Sequence, residues 1–369
     1  MSFKRLIENQ GLAYYHCLSR VIEKRFIFDE KEREHFRKLM RRQESFSGVR
    51  VLTWNCLSNH FHVLVAVEEK SGKKVQEEMQ HLLDHDVAFL ARLKHIYEPQ
   101  ALEEVEKLLK HIRKTPNPDH VDGDSDGDAN ERRRKHLEWK QKEIARVKQP
   151  FLDRMYDLSG FVGELKQRIS QWYNLRTGRK GPLWEERFKS VLVQGSPGIL
   201  ATVAAYIDLN AVRAGIVKEP KEWRWCGYAE AAAALSVARE GIYEVLGEPD
   251  DASRDGAGWR RVHQRYRELL VCESIQRRDE EGRIVRKGLT PEEVEAAEER
   301  GFELPRGELL LHRVRYFTDG LALGSAEFLE GVFKRKKRSL GIKRKVGPRV
   351  PRLDGMGSLC TLKDLRKEV

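Results

Sequence analysis

Val49-Arg50-Val51-Leu52-Thr53-Trp54-Asn55-Cys56 and His60-Phe61-His62-Val63-Leu64-Val65-Ala66-Val67 are two apolar runs separated by Leu57-Ser58-Asn59. Runs of this length, rich in β-branched residues and broken by a short polar turn, predict paired strands. Working outward, Ala13 to Leu18 reads as a further strand. Asp29 with Glu32 makes a capping box ahead of the apolar positions Phe36, Leu39 and Met40, which predicts a helix ending near Gly48. The order is therefore strand, helix, strand, strand.

The pattern resumes at Gly160 to Leu175, an amphipathic helix carrying Phe161, Leu165, Ile169, Trp172 and Tyr173. Leu183 to Val193 reads as a strand. Ser196-Pro197 supplies an N-cap and a first-turn proline for a helix running to about Val212, with Gly215 behind it. These elements predict an α+β core, a sheet of four or more antiparallel strands with helices on one face.

Residues 68–150 interrupt that core. Leu82, Leu83, Phe89, Leu90 and Leu93 fall at helical spacing, as do Leu102, Val105, Leu108 and Leu109. Thr115 to Asn130 is rich in Pro, Gly and Asp and reads as an acidic linker. Its Asp122, Asp124, Asp126 and Gly127 mimic a calcium loop, but Arg133 stands where the bidentate glutamate is required, so that reading fails. The expected organisation is a core of residues 1–67 and 151–230, a helical insertion 68–150, and a mainly helical, basic C-terminal region 231–369.

With 69 Lys plus Arg against 58 Asp plus Glu, the net charge is +11, which favours a polyanionic partner. Five cysteines without a CxxC pair argue against a disulfide framework or zinc ribbon and suit a reducing cytoplasm. No apolar run long enough for a membrane span occurs, so no membrane partner is expected.

His60 and His62 alternate on one strand and so share a face, where two imidazoles can hold one divalent metal. Alone, a His-x-His pattern more often marks a satisfied pair. Ile199, Val203, Tyr206 and Asn210 form one helical stripe that ends in a phenol and an amide. On the stripe alone a buried tyrosine with its hydroxyl satisfied is the preferred reading, and the alternative is a nucleophile one helical turn from a third metal ligand.

Four motifs then occur in order: Tyr14-Tyr15-His16 through Ser19-Arg20; Ser58-Asn59-His60-Phe61-His62-Val63-Leu64-Val65; Gly181-Pro182-Leu183-Trp184-Glu185-Glu186-Arg187-Phe188-Lys189-Ser190; and Tyr206-Ile207-Asp208-Leu209-Asn210-Ala211-Val212-Arg213-Ala214-Gly215. Trp223-Arg224-Trp225 to Tyr228 follows. Over residues 12–230, apart from the insertion, the chain resembles the REP-associated tyrosine transposases, a branch of the single-tyrosine HUH transposases. The resemblance implies a ferredoxin-like core that cleaves and rejoins single-stranded DNA near hairpins. It implies Tyr206 as the nucleophile that forms a 5′-phosphotyrosine, with His60, His62 and Asn210 as metal ligands. Imidazole and oxygen ligands at an open site suit Mg²⁺ or Mn²⁺. Ser58, Pro182 and Ala211 depart from the family's usual Pro, His and Asn-Pro-Val pattern without removing a proposed ligand or the tyrosine. A homodimer is left open.

The cations Arg20, Arg179, Lys180, Arg187, Lys189 and Arg213, with Trp184, form the candidate DNA-binding set, because cations track phosphates and exposed aromatics stack on unpaired bases. Packing in the core is the competing expectation for Trp184 and Phe188. In the C-terminal region Leu309 to Phe317, an Asp319-Gly320 turn and Ser325 to Phe333 suggest a helix-turn-helix, and Lys334 to Arg338 with Lys343 to Lys345 form a basic run. Competing functional expectations are a domesticated transposase acting on chromosomal repeats and a non-catalytic nucleic-acid-binding protein.

Overall fold

The computed structural model describes residues 6–8, 11–116, 126–248, 254–272, 277–278, 284–286, 317–318, 320–340 and 359–363. The chain divides into two compact units. One holds Met1–Arg37, Arg50–Val67 and Lys166–Val369, and the other holds Lys38–Val49 and Glu68–Leu165.

The first unit is built on strands β1 (Ala13–Arg20), β2 (Arg50–Cys56), β3 (His60–Val67) and β4 (Lys189–Val193). Helix α1 (Glu30–Ser47) lies between β1 and β2 in sequence, and helix α6 (Leu158–Thr177) precedes β4. The strands are arranged β2-β3-β1-β4, and β1 is antiparallel to both its neighbours, from Ala13↔Val67 to Arg20↔His60 on one side and Tyr14↔Val193 on the other. With the insertion removed, the order β-α-β-β-α-β and this strand arrangement are ferredoxin-like, as the sequence predicts.

The local causes of these elements are legible. Asp29 Oδ1 accepts from the backbone N–H of Glu32 at 3.2 Å, while Glu32 reaches back to the Asp29 N–H at 3.3 Å, so the expected capping box starts α1. Phe36 then packs its ring against Trp54 and Phe61, with centroids 5.7 and 4.9 Å away. His35 of α1 stacks on Trp172 of α6 at 3.9 Å, which sets both helices on this face of the sheet. Strand alternation turns Phe61, Val63 and Val65 toward α1 and leaves His60, His62 and Leu64 on the other face. That face is covered as well, by α7 (Pro197–Asp208), so β3 is buried on both sides and reads as a continuous apolar run.

Beyond α7 come α8 (Asn210–Arg213), α9 (Gly227–Ala232), α10 (Ser236–Val245) and α11 (Gly256–Cys272), then the short strands β5 (Arg277–Arg278) and β6 (Ile284–Arg286). Strands β7 (Gly320–Gly324) and β8 (Cys360–Lys363) extend the central sheet, with β7 parallel to β4; between them runs α12 (Ala326–Leu340). The C-terminal region is thus helical in part but also contributes to the core sheet. Of the expected helix-turn-helix, the stretch Ser325 to Phe333 falls on α12, with Ser325 just ahead of its first residue. Residues 309–316 and 319 lie outside the described residues, and Gly320 opens a buried strand instead of a turn. Gly324 explains the preference: a Cβ there would come within 2.5 Å of the Phe328 ring, so the strand and the first turn of α12 approach as only glycine allows.

Two further boundaries differ from expectation. Leu183 to Phe188 is irregular, with Trp184 forming only an isolated bridge to Val21, so the strand begins at Lys189. The helix expected to reach Val212 breaks at Leu209, where ψ is 1°, before α8 resumes it; Gly215 follows with φ of 68°.

The second unit contains α2 (Lys73–Asp84), α3 (Asp86–Leu93), α4 (Pro99–Lys114) and α5 (Asp126–Leu152), around a core including Val75, Leu82, Phe89, Leu93, Leu109, Ile112 and Ile144. The apolar positions at helical spacing, Leu82 to Leu93 and Leu102 to Leu109, fall on α2, α3 and α4. Of the expected linker, residues 117–125 lie outside the described residues, while Asp126 to Asn130 already belong to α5. Lys148 is fully buried here, with Nζ donating to the carbonyls of Leu82 and Leu83 at 2.9 and 2.7 Å and lying 2.8 Å from Asp86. No described helix is long and apolar enough to cross a membrane.

Candidate active site

The register of the central sheet sets the first part of the site. His60 lies opposite Arg20 and His62 opposite Leu18, so both imidazoles leave the sheet on the α7 side. Their ring centroids are 5.2 Å apart at 82°. His16, two residues before Leu18 on β1, shares that face, and its Nε2 lies 2.8 Å from His62 Nδ1. The other nitrogen of His16, Nδ1, lies 2.8 Å from the carbonyl oxygen of Phe317.

Helix α7 brings Tyr206 onto this cluster. The ring edges against His16 and His62, each with centroids 6.1 Å apart, and stacks on Phe317 at 4.8 Å. The Arg213 guanidinium lies 4.1 Å from the ring centroid, and it also donates to the Tyr206 carbonyl. Tyr206 is only 4% exposed. The break at Leu209 rotates Asn210 into the first turn of α8, where its side-chain nitrogen lies 3.2 Å from His60 Nε2. The sequence-predicted His60, His62, Tyr206, Asn210 and Arg213 are therefore in one place, beside the end of the strand that carries Arg20.

Second contacts fix the ring orientations. Asn59 Oδ1 lies 2.6 Å from His60 Nδ1, and the same amide donates through Nδ2 to the Lys24 carbonyl at 3.1 Å. Lys24 and its neighbour Glu23 both have positive φ, 53° and 55°, a conformation costly for residues with side chains. Burial pushes His16 down to about 4, an effect that its bond to the Phe317 carbonyl opposes and the Arg213 charge reinforces. His62 is driven well below the usual histidine value, mainly by burial and then by His16, His60, Arg213 and Arg20. Both rings are therefore neutral near pH 7.

Asp208, two residues after Tyr206 and so on the opposite side of the helix, anchors α7. Its carboxylate accepts from Thr53 Oγ1 at 2.7 Å, Tyr266 Oη at 2.6 Å and the Tyr228 N–H at 3.1 Å. Burial nevertheless raises it to about 6.

The remaining predicted cations behave differently. Arg187 and Lys180 are exposed. Arg179 donates to the Pro182 carbonyl at 2.8 Å, and half-buried Lys189 lies 3.5 Å from Glu186. Trp184 follows the core expectation: its Nε1 donates to the Lys166 carbonyl at 3.0 Å and its ring edges on Phe28 and Phe61. Residue-by-residue reading gave no role to His16, Asn59, Lys24 or Phe317. A signal existed for His16, since period-two alternation from Arg20 back through Leu18 places it on the histidine face.

The donor set can be weighed against a metal. Among the described residues no group of three or more His, Cys, Asp or Glu side chains gathers as a metal site. What does converge is the two imidazoles of His60 and His62 and the amide of Asn210. Amide oxygen and nitrogen exchange places by a half-turn, so this set is two nitrogens and one oxygen, which fits a divalent ion with open positions.

The fold and site together define an α+β protein of ferredoxin-like topology with a histidine–tyrosine cluster on one sheet face. Comparison adds that residues 9–83 match the family described as "Transposase IS200 like". That stretch holds His16, His60 and His62, so the resemblance carried by the first two motifs is found there; Tyr206 and Asn210 lie beyond it. A solved structure described as the REP-associated tyrosine transposase bound to a REP hairpin is similar at 14% identity, over 70% of this chain and 97% of that chain, with a TM-score of 0.32. No curated protein matches this chain.

Proposed function

We propose that this chain is a transposase-like nuclease that cleaves and rejoins single-stranded DNA near hairpins, with Tyr206 as nucleophile. The observation that supports it most is the meeting of Tyr206 with His16 and His62 while Asn210 meets His60. A purely structural tyrosine needs no such neighbours.

In the proposed step the Tyr206 oxygen bonds to phosphorus and the bond from phosphorus to the 3′ oxygen breaks. The phenolic proton is lost to water and the departing 3′ oxygen takes one up, leaving a 5′-phosphotyrosine and a free 3′ hydroxyl. Rejoining is the reverse, with a 3′ hydroxyl as attacking group. His60, His62 and Asn210 would hold Mg²⁺ or Mn²⁺, which supplies charge stabilisation at the scissile phosphate when bound. Arg213 holds the tyrosine by its ring face and by its carbonyl, and so sets where the hydroxyl stands. The cations Arg20, Arg179, Lys180, Arg187 and Lys189 would contact the DNA backbone.

The test is incubation with end-labelled single-stranded hairpin DNA and Mg²⁺, followed by denaturing electrophoresis. A labelled protein band that disappears with chelator and with Tyr206→Phe is expected. Binding without any adduct would leave a nucleic-acid-binding protein and overturn the nuclease reading.

A further inference from the structure

Two short chains of hydrogen bonds lead from backbone carbonyls to the two strand histidines. One runs from Phe317 O to His16 Nδ1, then from His16 Nε2 to His62 Nδ1, each link 2.8 Å. The other runs from Lys24 O to Asn59 Nδ2 at 3.1 Å, then from Asn59 Oδ1 to His60 Nδ1 at 2.6 Å. A carbonyl oxygen can only accept, and a neutral imidazole has one N–H and one lone pair. Direction is therefore forced at each link. Phe317 O requires the His16 proton on Nδ1, so His16 Nε2 is an acceptor and must receive the proton of His62 Nδ1. Lys24 O requires the Asn59 amide nitrogen, so Asn59 Oδ1 faces His60 and receives the proton of His60 Nδ1. In His62 this leaves Nε2 with its lone pair, and in His60 Nε2 lies 3.2 Å from the Asn210 amide nitrogen, which can only donate, so it too presents a lone pair.

We infer that His16 and Asn59 are positioning residues that lock His62 and His60 in the Nδ1–H tautomer, so that both present Nε2 lone pairs toward the Tyr206–Asn210 side. Free imidazole side chains favour the opposite tautomer, so the lock is a property of the fold. It also gives a reason for the costly backbone at Glu23 and Lys24: the left-handed turn aims the Lys24 carbonyl at Asn59. The sense of this arrangement as preparation for a metal rests on the proposed function; the tautomers themselves do not. Outer contacts of this kind orient ligating imidazoles, and their loss weakens metal binding roughly 10- to 100-fold.

The experiment is ring-nitrogen NMR of the metal-free full chain carrying ¹⁵N-histidine, assigned through single His→Gln substitutions. Expected are Nδ1–H signals for His16, His60 and His62. Asn59→Ala should release His60 toward the Nε2–H form and leave His62 unchanged, and His16→Phe should do the converse. The Asn59 side chain is half-exposed, so its variant tests one lock even where His16→Phe fails to fold. Mn²⁺ titration of the Asn59 variant should show binding weaker by roughly 10- to 100-fold. An Nε2–H signal for either strand histidine in the unsubstituted protein would overturn the inference, as would an Asn59 variant whose His60 is unaltered. The adduct assay decides the nuclease reading separately, since the tautomers are measured without metal or DNA.

Discussion

Removing only the Tyr206 hydroxyl should separate chemistry from packing. The ring is 4% exposed and held between Phe317 at 4.8 Å and the Arg213 guanidinium at 4.1 Å. Phe at this position keeps every one of those ring contacts. The expected stability change is therefore below about 1 kcal/mol, the net value of a single hydroxyl interaction. At roughly 2–4 °C per kcal/mol, the melting midpoint should move by less than about 4 °C. Ala instead deletes the ring from a packed site and should cost about 3–5 kcal/mol, or on the order of 6–20 °C. Covalent adduct on labelled hairpin DNA should fall by at least ~10³-fold in the Phe variant, as expected when a nucleophile is removed. Both properties are read on one preparation, by thermal denaturation and by denaturing gel. Adduct retained by Tyr206→Phe would refute the assignment and turn attention to Tyr173, which also lies on a helix. A large loss of stability in the Phe variant would show that the hydroxyl is structural.

The other expectations follow from the same geometry. His60→Ala and His62→Ala should abolish divalent-dependent cleavage, while Asn210→Ala, which removes a neutral ligand that water can replace, should reduce it by roughly tenfold or less; undiminished cleavage in excess chelator would remove the metal from the proposal. Asp208→Ala leaves the Thr53, Tyr266 and Tyr228 donors without their acceptor and should cost about 3–5 kcal/mol in urea unfolding, with Asp208→Asn costing less; a loss under ~1 kcal/mol would mean that α7 is anchored elsewhere. In the helical insertion, Asp86 is held at about 2 chiefly by its bond to Arg113 and also by Lys148. A depressed carboxyl stabilises the fold above its unfolded value of 3.8 and loses that contribution as pH falls from there toward 2. Asp86→Asn should therefore flatten the acid limb of unfolding by about 1 kcal/mol after screening, and an unchanged limb would contradict this. Deleting residues 334–369 would remove β8 from the sheet, so the basic run is tested by neutralising Lys343, Arg344 and Lys345. Each should lower the log–log salt slope of single-strand binding by about 0.7 without moving the nick, and a shifted nick would mean that this run reads sequence.

The part of the fold written in local pattern was legible. The capping box at Asp29 and Glu32, the alternation of His60 and His62 and the Ser196-Pro197 helix start all depend on neighbours within a few residues. What was not legible depends on partners far along the chain. Nothing local in Gly320 to Gly324 announces a strand, because its apolar, small residues are chosen by the parallel neighbour β4 and by the Phe328 ring. Trp184 sits in a motif rich in cations, yet its indole is claimed by Phe28, Phe61 and Lys166, contacts that no spacing reveals. The site divides in the same way: His60, His62, Tyr206 and Asn210 follow from periodicity and resemblance, whereas Phe317 enters only through its backbone oxygen, which any residue type could supply.

That oxygen also imposes a timetable. His16 and Phe317 stand 301 positions apart. At ribosomal speeds of about 5–20 residues per second, one is made on the order of 15–60 s before the other. During that interval the first histidine has no terminus for its hydrogen-bond chain and Tyr206 has no ring to stack upon. A nascent chain that already displays both strand histidines and the tyrosine thus lacks the arrangement described for the folded protein, and the proposed cutting activity should be held back until Phe317 is in place.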